Sequence, residues 1–599
     1  MEQSLVLRLI NPYGKPKRGQ SAIASKVGEA YLSSRILALQ YPPGSGKTLA
    51  VLMGVLEAGV PKVIYLARTR TQFQAPLREV RRFEELGIPV PTATLVNKKD
   101  LCIFTKNYSL DYREFLRYCQ IKVKSGICPF ARKVVETIRF PGIVDTEALK
   151  SIGLAKGVCP FTLAWRALDH ARIIVASYSY LFDEKLFDIF LKRSGIELGD
   201  SLLVVDEAHN LPRQIVDFSR KILSETAIRL ARKELSSMKQ ASPDILSTAR
   251  VLDSLLRILR KYSQRGDEVE VAVEELGGGE SFSTTVMKLA RAYETLSGAP
   301  SSLWRVAEFL HAVEKADRDS LVYASSKTGE RQLVLVNINA SKVARRVFSK
   351  VRAAVLMSAT LPPNDYLVAA LGLEENRLER FEYTAPWGAR VRAVVVSGIS
   401  SRYAERSQET YRTYGELIDR IYFSERAARA LVVFPSYTFL TNVYPFVKAA
   451  PKIRERPETS LDDLIGKVAG LGKFLLMVVA WGKFSEGVEL KVLGRNLVDT
   501  VIIAGLPLPD PSIENKKIME RMRDRLRDEY RAWSYTFYFP AVARVVQAIG
   551  RGLRSESDYP QVFVLDERLQ GEGEEYLKRL GITIHRVDIK DILQVYGSR

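Results

Sequence analysis

Histidine and cysteine are scarce in this chain, which has four of each among its 599 residues. The histidines, His170, His209, His311 and His585, lie far apart, and no cluster of acidic residues and histidines suits a two-metal nuclease. The longest apolar run, residues 474–481, is far shorter than the roughly 20 residues that a membrane-spanning helix needs. The first residues lack the basic and then apolar pattern of a signal peptide. We therefore expect a cytoplasmic protein with no membrane partner.

Positive charge, in contrast, is plentiful. Lysine and arginine number 89 against 69 aspartate and glutamate residues, and the formal net charge of +20 is spread along the chain. Such an excess favours a polyanionic partner, although net charge also serves solubility alone. The length predicts two to four domains with large cores.

A glycine-rich loop, residues 41–48, reads Tyr-Pro-Pro-Gly-Ser-Gly-Lys-Thr between a predicted strand at 35–41 and a predicted helix at 48–58. In such loops backbone N–H groups surround phosphate oxygens, the lysine binds the β- and γ-phosphates, and the threonine hydroxyl binds magnesium. Tyr41 stands where the strict pattern has glycine, and an ordinary glycine turn is the alternative. The expected nucleotide-binding residues are Gly44, Ser45, Gly46, Lys47 and Thr48.

A second motif, residues 206–209, is acidic: it reads Asp-Glu-Ala-His and directly follows the apolar run at 201–205. In open α/β sheets ligands bind at the carboxyl ends of the strands, where this motif would lie. We expect Asp206 to complete the magnesium shell and Glu207 to orient and polarise the attacking water. The two motifs together predict hydrolysis of a nucleoside triphosphate.

All four cysteines, Cys102, Cys119, Cys128 and Cys159, fall within one short window. An intracellular chain rarely places so many cysteines in disulfides, which favours metal ligation by four thiolates. No two cysteines have the close spacing typical of structural zinc. Cys128 and Cys159 are each followed by Pro-Phe, and a cysteine followed by proline also occurs in one ferredoxin-type cluster motif. We therefore favour a [4Fe–4S] cluster over zinc, with buried thiols that bind no metal as the remaining alternative.

Two series of strand-like apolar runs indicate an α/β protein with two parallel sheets in tandem. The first series is 62–67, 171–176, 201–205 and 353–357, and the second is 430–434, 474–480, 500–504 and 561–565. Two inserts interrupt the first half. One contains the cysteines, and the other has helical periodicity, as at 251–262 and 303–316, and a predicted hairpin of 321–324 with 332–337.

Five further motifs occur in order along the chain. They are Ala-Arg-Thr-Arg-Thr-Gln at 67–72, Met-Ser-Ala-Thr-Leu-Pro at 357–362, Phe-Pro-Ser-Tyr at 434–437, Gly-Lys-Phe-Ser-Glu-Gly-Val-Glu-Leu at 482–490 and Gln-Ala-Ile-Gly-Arg-Gly-Leu-Arg at 547–554. With the glycine loop and the acidic motif they resemble the helicase motifs of superfamily 2. More narrowly, the chain resembles the XPD family of iron–sulfur DNA helicases, related to FANCJ, RTEL and DinG, and is most similar to its archaeal members.

This resemblance implies two RecA-like motor domains, an iron–sulfur cluster domain that carries the four cysteines, and a mainly helical Arch domain. The implied boundaries are 1–96, 166–210 and 346–380 for motor domain 1, 97–165 for the cluster domain, 211–345 for the Arch and 381–599 for motor domain 2. The cluster domain and the Arch would form a pore that parts the duplex.

Roles for individual residues also follow from the resemblance. ATP would lie between the motor domains. Gln547, Arg551 and Arg554 of the last motif, residues 547–554 (helicase motif VI), would lie at the γ-phosphate and its water, and Gln20 at the adenine. Thr69, Ser436 and Tyr437 would grip DNA backbone phosphates. The aromatic run at 533–539, flanked by the basic stretch 516–531, could stack bases, although a place in the core is favoured.

The resulting interpretation is an ATP-dependent DNA helicase with 5′ to 3′ polarity that acts on single-stranded and forked DNA in repair. Its expected cofactors are Mg²⁺ and a [4Fe–4S] cluster. We expect a prokaryotic or archaeal monomer that has repair proteins as partners. The alternatives are a DinG-like helicase for replication conflicts or R-loops, and an ATPase that clamps nucleic acid without unwinding it.

Overall fold

The computed structural model describes residues 11–14, 17, 19–42, 46–105, 110–131, 138–238, 242–277, 279, 281–383, 391–424, 429–482, 491–492, 495–496, 498–552 and 560–595. The strands are β1 Ile36–Gln40, β2 Lys62–Ala67, β3 Thr92–Leu95, β4 Ile143–Val144, β5 Ile173–Ser177, β6 Ser201–Asp206, β7 Lys221–Ser224, β8 Glu268–Glu270, β9 Ser320–Ser325, β10 Gln332–Asn337, β11 Ala353–Ser358, β12 Leu378–Glu382, β13 Arg392–Ser397, β14 Arg429–Phe434, β15 Lys452–Arg454, β16 Phe474–Val479, β17 Lys491–Val492, β18 Arg495–Asn496, β19 Thr500–Ile503, β20 Gln561–Val564 and β21 Thr583–Asp588.

The α-helices are α1 Gln20–Leu32, α2 Lys47–Glu57, α3 Arg70–Glu85, α4 Lys98–Leu101, α5 Tyr112–Lys124, α6 Thr146–Lys156, α7 Pro160–His170, α8 Ser179–Phe182, α9 Glu184–Ser194, α10 Leu211–Ser219, α11 Glu225–Ser237, α12 Pro243–Ser263, α13 Phe282–Ser297, α14 Leu303–Glu314, α15 Ala340–Phe348, α16 Asn364–Leu371, α17 Gln408–Phe423, α18 Tyr437–Val443, α19 Leu461–Val468, α20 Ile513–Leu526, α21 Glu529–Trp533, α22 Phe539–Gly552, α23 Glu572–Arg579 and α24 Ile589–Val595. A π-helical turn, Ser534–Tyr538, joins α21 to α22. None of the helices within these ranges has the length and apolar character that crossing a bilayer demands.

The first sheet has eight parallel strands in the order β12-β1-β11-β6-β2-β5-β3-β4. Its central strands β1, β6 and β11 are buried along their whole length, because helices cover both faces. Four neighbouring strands, β1, β11, β6 and β2, direct the predicted motifs to one edge of this sheet. This arrangement confirms the predicted parallel sheet and brings residues distant in sequence to one site.

The second parallel sheet has seven strands in the order β15-β16-β14-β19-β20-β13-β21. Apolar side chains fill both of its faces, with helix α22 packed on one and helices α17 and α18 on the other. The two parallel sheets confirm the predicted fold class of two tandem RecA-like domains. The domain boundaries within the chain stay a prediction.

The predicted Arch contains an antiparallel sheet, β7-β10-β9-β8, against which helices α11 to α14 pack. The hairpin expected from 321–324 and 332–337 is present, since β9 pairs with β10 from Ser320 opposite Asn337 to Ser325 opposite Gln332. The two outer strands of this sheet are short and only half-buried, so they carried no apolar run in the sequence.

Helix α20 connects the second half of the chain to the Arch and to the first sheet. Glu514, 3% exposed, accepts hydrogen bonds from Arg220, from Arg213 at 3.1 Å and from the Tyr323 hydroxyl at 2.7 Å. At the other end of the helix, Arg525 donates to the Asn339 side chain at 2.8 Å and to the Ala369 carbonyl in helix α16, which packs against the first sheet. The basic stretch in this helix therefore serves contacts between domains as well as any contact with nucleic acid.

Candidate functional site

The phosphate loop ends at Gly46, which has φ 84° and precedes helix α2. The amide of Gln20 fixes this end, since its Oε1 accepts from the Lys17 N–H at 2.7 Å and its Nε2 donates to the Gly46 carbonyl at 3.2 Å. The left-handed conformation favours glycine here, and a Cβ at position 46 would lie 2.4 Å from that Nε2 and displace the Gln20 side chain. Gly44 and Ser45 lie outside the described residues. Gln20, predicted only as an adenine contact, also supports the loop.

Lys47 and Glu207 face each other across this site, with Lys47 Nζ 3.5 Å from Glu207 Oε1. Glu207 has a left-handed backbone, φ 52°, and its N–H donates to Asp206 Oδ1 at 3.0 Å. Non-glycine residues in this region are uncommon and cluster at functional sites. Burial acts to raise the pKa of Glu207, but the charge of Lys47 and the hydrogen bond from Ser358 oppose it, and this pKa lies below its usual value. Glu207 is therefore a charged acceptor.

Asp206, 7% exposed, ends strand β6 beside these groups. Burial raises the pKa of its carboxyl group to about 6, with a further contribution from Glu207 that Lys47 opposes. The buried Tyr65 hydroxyl lies between Thr48 and Asp206 and has no well-formed hydrogen bond within the described part of the chain. Hydroxyl and carboxylate oxygens suit magnesium, and a hydrated cation would stabilise this desolvated carboxylate. The donor set therefore fits Mg²⁺.

His209 links the two halves of the site. Its Nδ1 lies 2.7 Å from the Ser358 hydroxyl, and its Nε2 lies 2.9 Å from Nε2 of Gln547 on helix α22. Ser358 in turn donates to Glu207 Oε2 at 3.3 Å. The six residues Lys47, Asp206, Glu207, His209, Ser358 and Gln547 are called the nucleotide seam below. Sequence reasoning assigned His209 only to a motif, because nothing in the sequence indicates its contact with Gln547.

Helix α22 carries Gln547 and Arg551 of motif VI. Arg544, one turn before Gln547, donates to the Gln547 side-chain oxygen at 3.0 Å. Arg551 lines a small cavity beside strands β14 and β16 together with Arg544 and Ala548. Arg554 lies outside the described residues, as does the motif at 483–490. The described part of motif VI thus contacts the first half of the site through Gln547, which lies beside His209.

A cleft of about 1420 Å³ opens beside the nucleotide seam and extends over both sheets. Eight of its lining residues are basic and two are acidic, and eight more are aromatic. The basic residues are Arg68, Arg213, Arg406, Lys516, Arg521, Arg525, Arg544 and Arg568. The aromatic residues are Tyr366, Tyr403, Tyr437, Trp481, Trp533, Tyr535, Phe537 and Phe539. A basic groove with aromatic side chains is the usual form of a single-strand binding site.

The predicted phosphate-gripping residues have local structural partners. Ser436 caps helix α18 by accepting from the Phe439 N–H at 3.1 Å, and the Tyr437 hydroxyl donates to Glu455 at 3.0 Å. Both line the cleft. Thr69 precedes helix α3, where its N–H donates to the Gln72 side chain at 2.9 Å.

The aromatic run at 533–539 is divided between core and cleft. Phe537 and Tyr538 are each 8% exposed, which agrees with the favoured core interpretation, whereas Trp533 is 37% exposed and faces the cleft. Tyr535 donates to both carboxylate oxygens of Asp365.

The four cysteines are half-buried free thiols in the cysteine segment, residues 102–159. Burial raises the pKa of Cys119, and the adjacent thiols of Cys102 and Cys159 add to this rise while Lys98 opposes it. The Cys159 N–H donates to the Phe130 carbonyl at 2.9 Å, which joins the two Cys-Pro-Phe stretches. Across the described ranges, no three metal-ligating side chains are gathered at metal-binding geometry. The four thiols fit a cluster as a donor set, and the described geometry places Cys102 and Cys159 near Cys119 without a closed metal site.

Comparisons with known proteins bear on both halves of the site. The DEAD_2 family model matches residues 65–228, and the Helicase C-terminal domain model matches residues 421–581. The ATP-dependent DNA helicase XPD of Sulfolobus acidocaldarius is 28% identical over 565 residues, which cover 92% of this chain and 96% of that protein. A solved XPD helicase structure superposes with a TM-score of 0.72 at 25% identity, over 95% of this chain and 99% of the other. The chain belongs to the XPD-like helicases.

Other relatives of this XPD-like helicase are more distant. The regulator of telomere elongation helicase 1 homolog of Drosophila melanogaster is 24% identical over 88% of this chain and 64% of that protein. A solved apo XPD structure has a TM-score of 0.65 at 23% identity and agrees in fold over 94% of this chain and all of the other. The predicted family is confirmed.

Proposed function

We propose that the chain is an ATP-dependent DNA helicase that moves 5′ to 3′ along a single strand and parts duplexes during DNA repair. One observation carries this proposal: the nucleotide seam joins groups from both sheets at the side of a basic, aromatic cleft. A site divided between two domains changes when the domains close or open. Nucleotide turnover in the seam can therefore move the walls of the cleft.

ATP would bind with its phosphates at Lys47 and the glycine loop, where the N-terminus of helix α2 adds positive potential. Thr48 and Asp206 would hold Mg²⁺, which supplies charge neutralisation at the phosphates. The ionised Glu207 would orient the attacking water and accept its proton. Gln547, Arg551 and Arg554 would complete the site when the domains close.

Single-stranded DNA would lie in the cleft. Lysine and arginine side chains neutralise backbone phosphates without choice of sequence, and aromatic rings stack on unpaired bases. Ser436 and Tyr437 line this cleft and would contact the backbone, as would Thr69 beside Arg68. Gln20 would reach the adenine from its position under the phosphate loop.

Cys102, Cys119, Cys128 and Cys159 would hold a [4Fe–4S] cluster, which supplies a rigid crosslink for a segment with little core of its own. Support for the cluster comes from the four thiols and from membership in the family. The 5′ to 3′ direction and the repair role rest on the family alone.

The test is strand displacement from duplexes with either a 5′ or a 3′ single-stranded tail, with protein purified anaerobically. We expect displacement of the 5′-tailed substrate only, dependent on ATP, and none with Lys47→Ala. Lys192→Ala, a change on the exposed face of helix α9, is the matched control and should behave like the parent. Displacement by Lys47→Ala would refute the proposal, and DNA-stimulated ATP turnover without displacement would indicate a clamp.

A further inference from the structure

Arg544 is a buried cation between the cleft and the nucleotide seam. It is 8% exposed, and its guanidinium lies 4.4 Å from the centre of the Trp481 ring on one side. On the other side it donates to Gln547 Oε1 at 3.0 Å. Neither Trp481 nor Arg544 belongs to the motifs that the sequence revealed.

The contact with Arg544 fixes the orientation of the Gln547 amide. A guanidinium can only donate hydrogen bonds, so it requires the amide oxygen of Gln547 to face it. The amide nitrogen, which can only donate, then points to His209 Nε2 at 2.9 Å. His209 Nε2 is therefore an acceptor, and its proton lies on Nδ1.

This tautomer sets the direction of the remaining hydrogen bonds. The Nδ1–H of His209 donates to the Ser358 hydroxyl at 2.7 Å, and that hydroxyl donates to Glu207 Oε2 at 3.3 Å. Glu207 thus accepts a hydrogen bond whose direction is set, through the intervening residues, by Arg544. If the amide turned over, its oxygen would face His209, and the opposite tautomer would be favoured.

Trp481 connects this series of contacts to the cleft. Its indole N–H donates to the Pro507 carbonyl at 3.1 Å, which anchors one edge of the ring. The side chain is 42% exposed and lines the cleft with Arg544. Cation–π contacts depend on the distance and angle between the cation and the ring. A base that stacks on Trp481 would act on the position of Arg544.

We propose that Trp481 and Arg544 are positioning residues that report occupation of the cleft by a nucleic-acid base to Glu207 through Gln547, His209 and Ser358. This inference rests on the proposed function for the identity of the ligand. It adds a route by which bound DNA sets the rate of ATP hydrolysis.

The tautomer of His209 gives a direct test that needs neither DNA nor ATP. The chain has only four histidines, so ¹⁵N-histidine labelling yields few signals, and His209→Gln identifies the relevant one. We expect the Nδ1–H tautomer in the parent and in Arg544→Lys, which keeps a donor. Arg544→Met should give a mixture of tautomers. An unchanged tautomer in folded Arg544→Met would refute the role of Arg544.

The link to the cleft is tested by ATP turnover with and without a short single strand. With the strand at saturating concentration, we expect Trp481→Leu and Arg544→Met to lower the DNA-stimulated kcat about tenfold, while KM for ATP changes less than about threefold. Trp481→Phe keeps an aromatic face and should retain most of the stimulation. Normal stimulation in Trp481→Leu would overturn the link.

Failure of the proposed function would have a different signature. A parent protein without DNA stimulation would exclude base sensing, and the histidine signals would still decide whether Arg544 orients the seam. Circular dichroism of each variant, with Arg544→Lys and Trp481→Phe as conservative partners, separates these effects from loss of folding.

Discussion

The nucleotide seam and the cysteine segment are both expected to bind inorganic ions, but the chain prepares them differently. In the seam, Lys47 lies opposite Glu207 and His209 joins Ser358 to Gln547, so the protein supplies partners of both signs. In the cysteine segment, Cys119 has two other thiols and Lys98 as its neighbours. The seam is therefore assembled by protein contacts alone.

Four thiols cannot satisfy one another in the same way, because thiolates repel and thiols are weak hydrogen-bond donors. A bound metal cluster supplies the positive charge that draws them together, and its binding then becomes folding energy. We therefore expect damage to the seam to remove activity from an intact fold. Damage to the cysteine segment should remove the local structure with the cluster.

The largest expected effect follows from Glu207→Gln. Loss of the carboxylate removes the group that would accept the proton of the attacking water, and we expect kcat for ATP hydrolysis to fall about 1000-fold. ATP binding should persist, since Lys47 loses no contact with the phosphates. Steady-state turnover and nucleotide titration measure the two quantities.

Asp200→Asn is the matched control, because Asp200 is exposed and lies just before the opposite end of the same strand. It should hydrolyse ATP like the parent. Normal turnover in Glu207→Gln would show that the seam is not the hydrolytic site.

The second prediction concerns Cys119→Ser, which removes one ligand from the cysteine segment. We expect iron and sulfide to fall close to zero together with absorption at about 400 nm, and the segment to become sensitive to protease. Ser125→Ala in the same segment is the control and should retain iron. Stoichiometric zinc in the parent protein would replace the iron–sulfur assignment.

The sequence located the buried strands whose residues are almost all apolar, because such strands read as continuous apolar runs. Strand β3 is also buried along its length, but it was missed because Thr92 and Thr94 interrupt its apolar residues. Strand β14, expected at 430–434, covers Arg429–Phe434. Edge strands were missed, since β12 and β21 are half-exposed and have charged residues among apolar ones. A buried strand is therefore readable from sequence where its residues are almost all apolar.

The candidate site shows the same division. Lys47, Asp206, Glu207 and Gln547 were found because each belongs to a contiguous motif. The contacts of Gln20 with Gly46 and of Trp481 with Arg544 join separate elements, and they depend on packing that no local pattern encodes. The reactive residues are thus easier to identify from the sequence than the residues that orient them.

A smaller effect, on stability, is expected at Glu514. As in the seam, protein side chains of opposite charge pair with each other at this site. Burial acts to raise the pKa of Glu514, but Arg220 and Arg213 outweigh it and lower this pKa. Glu514→Gln removes the buried carboxylate charge that both arginines face, while Arg220 keeps its hydrogen bond to Asp217 at 2.9 Å. We expect a loss of about 2 kcal/mol in the free energy of unfolding at pH 7. Glu520→Gln, an exposed change on the same helix, should have almost no effect.

The sign of the pH dependence follows from the lowered pKa of Glu514. Its stabilisation is complete above the ordinary glutamate pKa of about 4.3 and is lost as the pH falls through the lower, folded value. The thermal midpoints of parent and Glu514→Gln should therefore converge in acid. A difference that persists there would show that the cost arises from packing instead of charge.

The smallest predicted effect, at Ser436, distinguishes a structural contact from a ligand contact in the second sheet. The Ser436 oxygen accepts from the Phe439 N–H, which leaves its own hydroxyl proton to donate to a phosphate. Ser436→Ala should cost about 1 kcal/mol of stability through loss of the cap. If Ser436 also binds DNA, the affinity of this variant for a single strand should fall a few fold under conditions in which the variant is fully folded.

Ser460→Ala is the matched control, since Ser460 caps helix α19 in the same way by accepting from the Asp463 N–H at 3.2 Å. It should lose similar stability with unchanged DNA affinity, because Ser460 does not line the cleft. Equal DNA affinities in the two variants would make Ser436 a helix cap alone. The cleft would then hold the strand through its arginines and aromatic rings, whose contacts do not depend on the cap.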